Sequence, residues 1–191
     1  KTLQTLSTLV AVQEKLEVEK AENTQLDLFG NEIPVAKEYL KALIVLPSSL
    51  VFNWYNEARK FTPHFRRIQY VGQDRKLLSK KLAKYDLIFT SYAVVARDFS
   101  ILEKYQFRYL ILDESQYIKN KNSKIFKAIN QLQTTHKISL SGTPIENSLD
   151  DLWSQIQFIN PNILGSYAFF TEHYKFPIEI KQDENSFAEL K

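Results

Sequence analysis

Short, mostly apolar runs recur along the chain, and they alternate with longer stretches in which apolar residues return every three or four positions. The runs at residues 42–46, 87–89 and 109–112 are uninterrupted, whereas the run at 68–71 is weaker and contains Gln69, and the run at 138–140 contains Ser139. A strand that has no polar face must be covered on both sides, which is typical of a parallel sheet. These five runs therefore predict buried parallel strands.

The stretches between the runs have the spacing of amphipathic helices. Three apolar stripes show it: Leu50, Trp54, Ala58 and Phe61; Leu77, Leu78 and Leu82; and Ile125, Phe126, Ile129 and Leu132. A cap from Ser48 or Ser49 is predicted at the start of the first of these helices. Strands that alternate with helices predict an α/β fold, with a doubly wound, mostly parallel sheet between two helical layers.

Two segments interrupt this alternation. Residues 17–38 are rich in Glu, Lys and Asn and are longer than an ordinary α/β connection, so we expect a solvated excursion from a domain that spans residues 1–160. After Asn160-Pro161 the pattern becomes aromatic, and residues 161–191 are predicted to begin a further element.

Composition narrows the class of protein. The 191 residues, 44% of them hydrophobic, suffice for one domain with a substantial core. The lack of cysteine excludes disulfides and cysteine-ligated zinc, and three scattered histidines argue against a histidine-rich metal site. No apolar run approaches the length of a membrane span, so we expect a cytoplasmic protein. Because the sequence contains no methionine, we expect Lys1 to lie inside a longer natural protein.

The net charge of +3 is mild. Local clusters of Lys and Arg, such as Arg66-Arg67 and Lys80-Lys81, fit either a track for a nucleic-acid backbone or solvated helix faces, and solvated faces are the more common case.

Two adjacent carboxylates, Asp113 and Glu114, follow the predicted strand at residues 109–112. In doubly wound sheets, functional groups lie at the carboxyl ends of strands. One carboxylate of such a pair can hold magnesium, and the other can orient and deprotonate an attacking water. The alternative is a solvent-exposed acidic turn.

The first two residues, Lys1-Thr2, have the composition of the end of a phosphate-binding loop and precede a helical pattern. Farther along, Ser141-Gly142-Thr143-Pro144 forms a predicted tight turn after the strand at residues 138–140. Its two hydroxyls are expected to lie near Gln116.

Several longer strings resemble the motifs of the Swi/Snf-type ATPases in helicase superfamily two. Residues 43–50 with Asn53-Trp54 resemble motif Ia, and residues 88–92 resemble motif Ib. Residues 112–120 match motif II with its I-K-N extension, and residues 140–147 continuing to 154 resemble motif III. The resemblance implies a RecA-like lobe, of which this chain covers much, and a family-specific helical extension at residues 161–191.

The resemblance also implies roles for individual residues. Lys1 and Thr2 would contact the ATP phosphates and magnesium, Asp113 would hold the metal, and Glu114 would activate water. Gln116, Ser141, Gly142 and Thr143 would couple the nucleotide site to movement. Contacts to the phosphates of double-stranded DNA would come from Pro47, Ser48, Ser49, Asn53, Thr90, Ser91 and Tyr92. Such contacts carry no base specificity, as a motor that tracks along duplex DNA requires.

This sequence departs from the family pattern at two kinds of position. Ser115 replaces the usual Ala and Gln116 the commoner His. The glycines of motif I and the second RecA-like lobe, which supplies an arginine finger, are not in the sequence, so we expect the 191 residues alone to hydrolyse ATP negligibly.

One further string, Gln25-Leu26-Asp27-Leu28-Phe29, resembles the short peptide with which bacterial proteins bind the replication sliding clamp. The alternative, which we favour, is that its apolar residues pin the excursion onto the core.

These patterns together predict the first motor lobe of an ATP-dependent double-stranded DNA translocase that remodels a DNA-bound protein, in a bacterial, nucleoid-associated setting. The alternatives are an RNA helicase lobe of superfamily two and a non-catalytic module that binds DNA or the clamp.

Overall fold

Five parallel strands form the centre of the molecule. The computed structural model describes residues 1–22, 40–142, 149–181 and 190. Its strands are β1 (Ala42–Leu46), β2 (Arg67–Tyr70), β3 (Leu87–Ser91), β4 (Phe107–Asp113) and β5 (Thr134–Leu140). They pair in the order β2-β3-β1-β4-β5, and every pairing is parallel. Each predicted apolar run lies within or overlaps one strand, so the doubly wound parallel sheet is confirmed.

Helices precede, connect and follow the strands. They are α1 (Thr2–Glu22), α2 (Val51–Phe61), α3 (Arg75–Ser79), α4 (Tyr92–Arg97), α5 (Phe99–Leu102), α6 (Lys124–Gln131), α7 (Leu149–Ile159), α8 (Tyr167–Phe170) and α9 (Phe176–Lys181). Short 3-10 turns lie at Ser48–Leu50, Leu82–Lys84 and Ser115–Ile118, and a π-helical turn at Thr171–Lys175 joins α8 to α9. In the part of the chain that the structure describes, no helix has the length and apolar character needed to cross a bilayer.

The central strands β1, β3 and β4 are buried on both faces, whereas the edge strands β2 and β5 are only partly covered, which corrects the prediction of five buried strands. Within β1, Leu43 and Val45 belong to one apolar cluster, whereas Ala42, Ile44 and Leu46 belong to the other. Helices α1 and α2 cover the second face, and α4, α6 and α7 cover the first. Successive residues of a strand point to opposite faces. A strand covered on both sides must therefore be apolar throughout, which explains the uninterrupted runs in the sequence.

The helical stripes agree with the structure in part. Val51, Trp54 and Ala58 form the buried side of α2, but Phe61 is 45% exposed. The predicted serine cap is wrong, because Ser48 and Ser49 lie in a 3-10 turn closed by a backbone bond from Leu50 to Pro47. Residues in that turn lack the extended conformation that lets a side chain cap a helix.

Of the other two predicted apolar stripes, one is buried as predicted and one is buried only in part. Phe126, Ile129 and Leu132 are buried as predicted. Leu77, by contrast, is 75% exposed, because the predicted helix breaks into α3 and a separate 3-10 turn. Leu82 is fully buried, and Leu78 is partly buried and packs against the core.

Helix α1 extends to Glu22, beyond residue 17, where the sequence pattern predicted the excursion to begin. The rest of the predicted excursion lies outside the described residues. The string from Gln25 to Phe29 is part of it, so its proposed interaction with a sliding clamp stays a prediction from sequence.

The aromatic segment after residue 160 folds back onto α7. Tyr167 donates a hydrogen bond to Asp150 at 2.8 Å, and Lys175 pairs with the same carboxylate at 2.6 Å. Burial by itself raises the pKa of Asp150, but the hydrogen bonds from Lys175 and Tyr167 outweigh it and hold the pKa below its ordinary value. This contact fixes the start of the segment on the domain.

A buried ion pair joins the far edge of the sheet to the helices beside it. Asp98, at the end of α4, accepts hydrogen bonds from Arg75 at 2.7 and 3.0 Å and from the Tyr70 hydroxyl at 3.0 Å. Burial raises the pKa of Asp98, but the hydrogen bonds from Arg75 and Tyr70 outweigh this effect, and the pKa lies below its ordinary value. The pair therefore stabilises the fold only while Asp98 is ionised.

This pair predicts a specific acid sensitivity. Because the folded pKa of Asp98 is lowered, its contribution to stability is complete above the unfolded pKa of about 4 and is lost as the pH falls through the folded value. Asp98→Asn should lower the free energy of unfolding by about 3 kcal/mol at pH 7 and by up to about 1 kcal/mol less than that at pH 3, as measured by urea unfolding. Asp74→Asn, in the exposed loop next to Arg75, is the matched control and should change neither value. Equal losses at both pH values for Asp98→Asn would contradict the prediction.

Candidate functional site

The register of the sheet brings four strand ends to one edge. Leu46 pairs with Ser91, Val45 with Leu112, and Asp113 with Leu140. The residues that follow β1, β3, β4 and β5 are therefore neighbours at the carboxyl edge of the sheet, where doubly wound folds bind ligands. These residues are Pro47, Tyr92, Glu114 and Ser141, all from segments that the sequence predicted to be functional.

Asp113 is the last residue of β4 and is held by three hydrogen bonds. Its Oδ2 accepts from the indole Nε1 of Trp54 at 3.0 Å, and its Oδ1 accepts from the backbone amide of Glu114 at 3.1 Å. Its carbonyl oxygen accepts from the Tyr92 hydroxyl at 2.7 Å. Asp113 is 5% exposed, so the carboxylate has little freedom to change direction.

Glu114 has a left-handed backbone, with φ 51° and ψ 56°. This conformation costs a residue with a side chain about 1–2 kcal/mol relative to the right-handed region. It turns the chain sharply after β4. Non-glycine residues in such conformations cluster at functional sites, where the surrounding structure enforces them.

The side chain of Glu114 connects three of the predicted site residues. Its Oε1 lies 3.8 Å from Lys1 Nζ, and its Oε2 accepts from Gln116 Nε2 at 2.9 Å. A methyl group at Gly142 would lie 3.5 Å from Lys1 Nζ, so the turn after β5 also reaches this point. The structure thus brings together residues from the start of α1, the end of β4 and the end of β5.

Gln116 lies between this cluster and the interior. Its Oε1 is buried and has no hydrogen-bond partner among residues 1–22, 40–142 and 149–181. A buried carbonyl oxygen normally accepts a hydrogen bond, which suits the predicted link to the hydroxyls of the turn after β5. Ser141 is half-buried there, and Thr143 lies outside the described residues.

The departure at Ser115 has a structural explanation. The Ser115 hydroxyl is buried and donates to Gln155 Oε1 on α7 at 2.8 Å, while Ser154 on the same helix donates to the carbonyl of Lys119. Helix α7 is therefore tied to the chain that follows the acidic pair. A residue without a hydroxyl at position 115 would lose the first of these two bonds.

The predicted DNA-contacting residues divide into two groups. Ser48, Ser49 and Asn53 are exposed, and Pro47 beside them is half-buried. Together these four residues form one surface at the start of α2.

Thr90, Ser91 and Tyr92 are buried instead. Thr90 donates to the carbonyl of Tyr70 at 2.8 Å, and Tyr92 donates to that of Asp113. Burial, and then the nearby carboxylates of Asp113 and Glu114, raise the pKa of Tyr92 well above its ordinary value, so its hydroxyl remains a donor. The hydroxyls of Thr90 and Tyr92 thus bond to backbone carbonyls inside the domain, and the predicted contacts of this segment with DNA stay a prediction.

Trp54 is the contact that sequence reasoning missed. The sequence pattern predicts Trp54 only as one member of an apolar stripe, and its exposure of 3% agrees with that. The residue type itself indicates a further contact, because a buried tryptophan usually donates its N–H to an acceptor. The identity of that acceptor depends on packing and cannot be read from spacing.

The donor set fits a magnesium ion bound mainly through its substrate. The described parts of the chain contain no group of three or more His, Cys, Asp or Glu residues that could hold a metal. Magnesium usually takes one or two protein ligands and completes its shell with water and substrate phosphates. Asp113, whose two carboxylate oxygens have four acceptor positions, two of them used here, and Thr2, half-buried at the start of α1, match that pattern.

Comparison with known proteins gives the family. A family model described as the SNF2-related domain matches residues 1–191. The chain belongs to the SNF2-related domain family. This confirms the resemblance identified from the motifs.

Curated relatives of this SNF2-related domain are much longer proteins. It is 34% identical over 188 residues to the TATA-binding protein-associated factor MOT1 of Saccharomyces cerevisiae, covering 97% of this chain and 10% of that protein. The chromatin-remodeling ATPase INO80 of the same yeast is 36% identical over 75% of this chain and 10% of its own length. An uncharacterised ATP-dependent helicase of Mycoplasma genitalium is 35% identical over 81% of this chain and 15% of its own length. The domain thus spans 10–15% of the length of these relatives.

Solved structures confirm the fold. The SWI2/SNF2 ATPase core of Sulfolobus solfataricus in complex with double-stranded DNA superimposes on the whole chain with a TM-score of 0.81 at 38% identity, and 35% of that protein is covered. A second structure of this ATPase core matches 79% of the chain with a TM-score of 0.69 at 42% identity, over 30% of that protein. At these identities, the RecA-like architecture of the SNF2-related domain is established.

The left-handed backbone at Glu114 predicts that glycine is more stable than alanine at this position, the reverse of the usual order. Glu114→Gly and Glu114→Ala both remove the carboxylate and its contacts, but only alanine keeps the strained backbone. Glu114→Gly should therefore be more stable than Glu114→Ala by about 1 kcal/mol in urea unfolding.

The same pair of substitutions at Glu103 provides the control. Glu103 is exposed and has a right-handed helical backbone, with φ −60°. Glycine there should be less stable than alanine by about 0.5 kcal/mol, because the position ends a helix and has a right-handed backbone. If both positions favour alanine, the backbone at Glu114 stores no strain.

Proposed function

We propose that this SNF2-related domain is the first motor lobe of an ATP-dependent translocase of double-stranded DNA, which couples ATP hydrolysis to movement along DNA and so remodels a DNA-bound protein. The observation that carries the proposal is the meeting of Lys1, Glu114 and Gly142 beside the fixed carboxylate of Asp113. The likeness to an ATPase core solved with double-stranded DNA supports the choice of duplex DNA as the partner.

In this proposal, each residue of the cluster has one task. Lys1, whose side chain is 41% exposed, moves from Glu114 to the β- and γ-phosphates when ATP binds. Asp113 and Thr2 hold the magnesium ion of the nucleotide. Bound magnesium neutralises charge that develops on the phosphate oxygens during transfer.

Glu114 orients and deprotonates the attacking water. Its side chain is fixed by Gln116, so the carboxylate that receives the proton stays at one position. Gln116 is also predicted to contact the hydroxyls of the turn after β5. Through this contact, a change at the nucleotide site would alter the position of the turn and so be transmitted to the rest of the lobe. We assign the coupling role to Gln116, Ser141, Gly142 and Thr143 on this basis.

The DNA surface of the proposal lies at the start of α2. Ser48, Ser49 and Asn53 are exposed side chains that can donate hydrogen bonds to phosphate oxygens. Since Thr90 and Tyr92 are buried, we limit the proposed contribution of β3 to backbone groups near Ser91.

The nucleotide part of the proposal is tested with the full-length protein. Wild type should hydrolyse ATP faster in the presence of double-stranded DNA. Glu114→Gln should bind ATP but turn it over roughly 100-fold more slowly or worse, because the water loses its base. Glu103→Gln, an exposed site at the end of α5, is the isosteric control and should behave as wild type. Stimulation by RNA but not by duplex DNA would favour an RNA helicase, and an unchanged rate for Glu114→Gln would refute the assignment of the base.

The DNA part is tested by adding one negative charge. Asn53→Asp keeps the shape of the side chain but places a carboxylate opposite the phosphates, so affinity for duplex DNA should fall about ten-fold at low salt and less at high salt. Gln133→Glu adds the same charge at an exposed position next to the opposite edge of the sheet and should have little effect. Equal affinities for the two variants would remove the start of α2 from the DNA surface.

A further inference from the structure

The hydrogen bond from Trp54 to Asp113 joins residues 59 positions apart and is buried at both ends. Trp54 is 3% exposed and Asp113 is 5% exposed. The indole nitrogen can only donate, and the carboxylate can only accept while it is ionised. The direction of this bond is therefore fixed, and water has little access to replace either partner.

Tyr92 holds the same residue from the other side of the sheet. Its hydroxyl donates to the carbonyl oxygen of Asp113 at 2.7 Å. Trp54 belongs to the apolar cluster under α1 and α2, and Tyr92 belongs to the cluster under α4, α6 and α7. A residue of α2 therefore bonds to the side chain of Asp113, and a residue of α4, on the opposite face of the sheet, bonds to its backbone.

We propose that Trp54 and Tyr92 are positioning residues for the metal-holding carboxylate. The hydrogen bond from Trp54 fixes the direction of the Asp113 carboxylate, and the hydrogen bond from Tyr92 fixes the position of the Asp113 backbone at the edge of the sheet. The inference rests on the proposed function, because it concerns the metal role that is assigned there to Asp113.

The coordination geometry of magnesium explains why a fixed carboxylate would be needed. The ion demands near-ideal octahedral geometry, so a carboxylate that binds it directly or through water must present its oxygen in one direction. Hydrogen bonds from residues behind a metal ligand are the usual means of fixing that direction. Oδ2 accepts from Trp54 and Oδ1 from the Glu114 amide, and each oxygen keeps one further acceptor position.

Packing alone does not explain a tryptophan at position 54. Phenylalanine would fill much of the same apolar stripe between Val51 and Ala58 without an N–H that needs a partner. The chain contains a comparison in Trp153, which is also buried, at 7% exposure. Within the described residues, Trp153 Nε1 has no hydrogen-bond partner. Tryptophan at position 54 therefore differs from Trp153 by one directed bond.

The test measures metal binding directly in the full-length protein. Manganese stands in for magnesium, and its dissociation constant is determined by electron paramagnetic resonance in the presence of ADP. Trp54→Phe should raise that constant about ten-fold. It should also move the magnesium concentration needed for half-maximal ATPase activity upward by a similar factor, with much of the rate recovered at high magnesium. Trp153→Phe is the matched control and should change neither quantity.

Two further variants make the outcome decisive. Tyr92→Phe removes one oxygen only and should raise the manganese dissociation constant about three-fold or more, which tests the proposal even if Trp54→Phe does not fold. Asp113→Asn tests the proposed function itself and should nearly abolish manganese binding. If Asp113→Asn weakens binding but folded Trp54→Phe and Tyr92→Phe bind manganese as wild type does, the positioning role is overturned. If Asp113→Asn also binds as wild type does, the metal assignment fails first.

Discussion

The parallel register of β1, β3, β4 and β5 is the constraint on which the rest of the molecule depends. It brings the chain segments after these strands to one edge, so that residues far apart in sequence become neighbours. A shift of one residue in any pairing would exchange the two faces of that strand and move Asp113 or Ser141 away from the edge. Burial on both faces prevents such a shift, because each residue of β1 is committed to one of two apolar clusters.

The two adjacent carboxylates at this edge are held by different contacts. Asp113 is buried and bonded through both side-chain oxygens and its carbonyl, whereas Glu114 is half-buried and contacts Lys1 and Gln116. The left-handed backbone at Glu114 separates the two, since it turns the second side chain away from the path of β4. Two adjacent residues of the same chemical type thereby obtain different surroundings and, in the proposed function, different tasks.

The corners after β1 and β3 both supply a contact to Asp113, and the first also presents exposed side chains. At the first corner, Ser48, Ser49 and Asn53 face outward while Trp54 bonds to Asp113. At the second, Tyr92 reaches the same residue from the opposite layer. The proposed DNA surface at the start of α2 therefore adjoins Trp54 on the same helix, and Trp54 contacts Asp113 at the proposed metal site.

The sequence by itself determined the fold class, the five strands and the residues at their carboxyl ends. Burial on both faces leaves an uninterrupted apolar run in the central strands β1, β3 and β4, and shorter apolar patterns mark the partly covered edge strands β2 and β5. The long motif strings also determined the family. Only the tertiary structure decided which side chains turn inward. Thr90 and Tyr92 carry hydroxyls of the kind that bind ligands, but here they donate to backbone carbonyls. Leu77 has the spacing of a core residue but is exposed. Trp54 also has that spacing and is buried, but it donates a hydrogen bond to Asp113 as well. The physical reason is that periodicity records whether a position is covered, whereas the partner of a polar atom depends on elements that pack against it from distant parts of the chain.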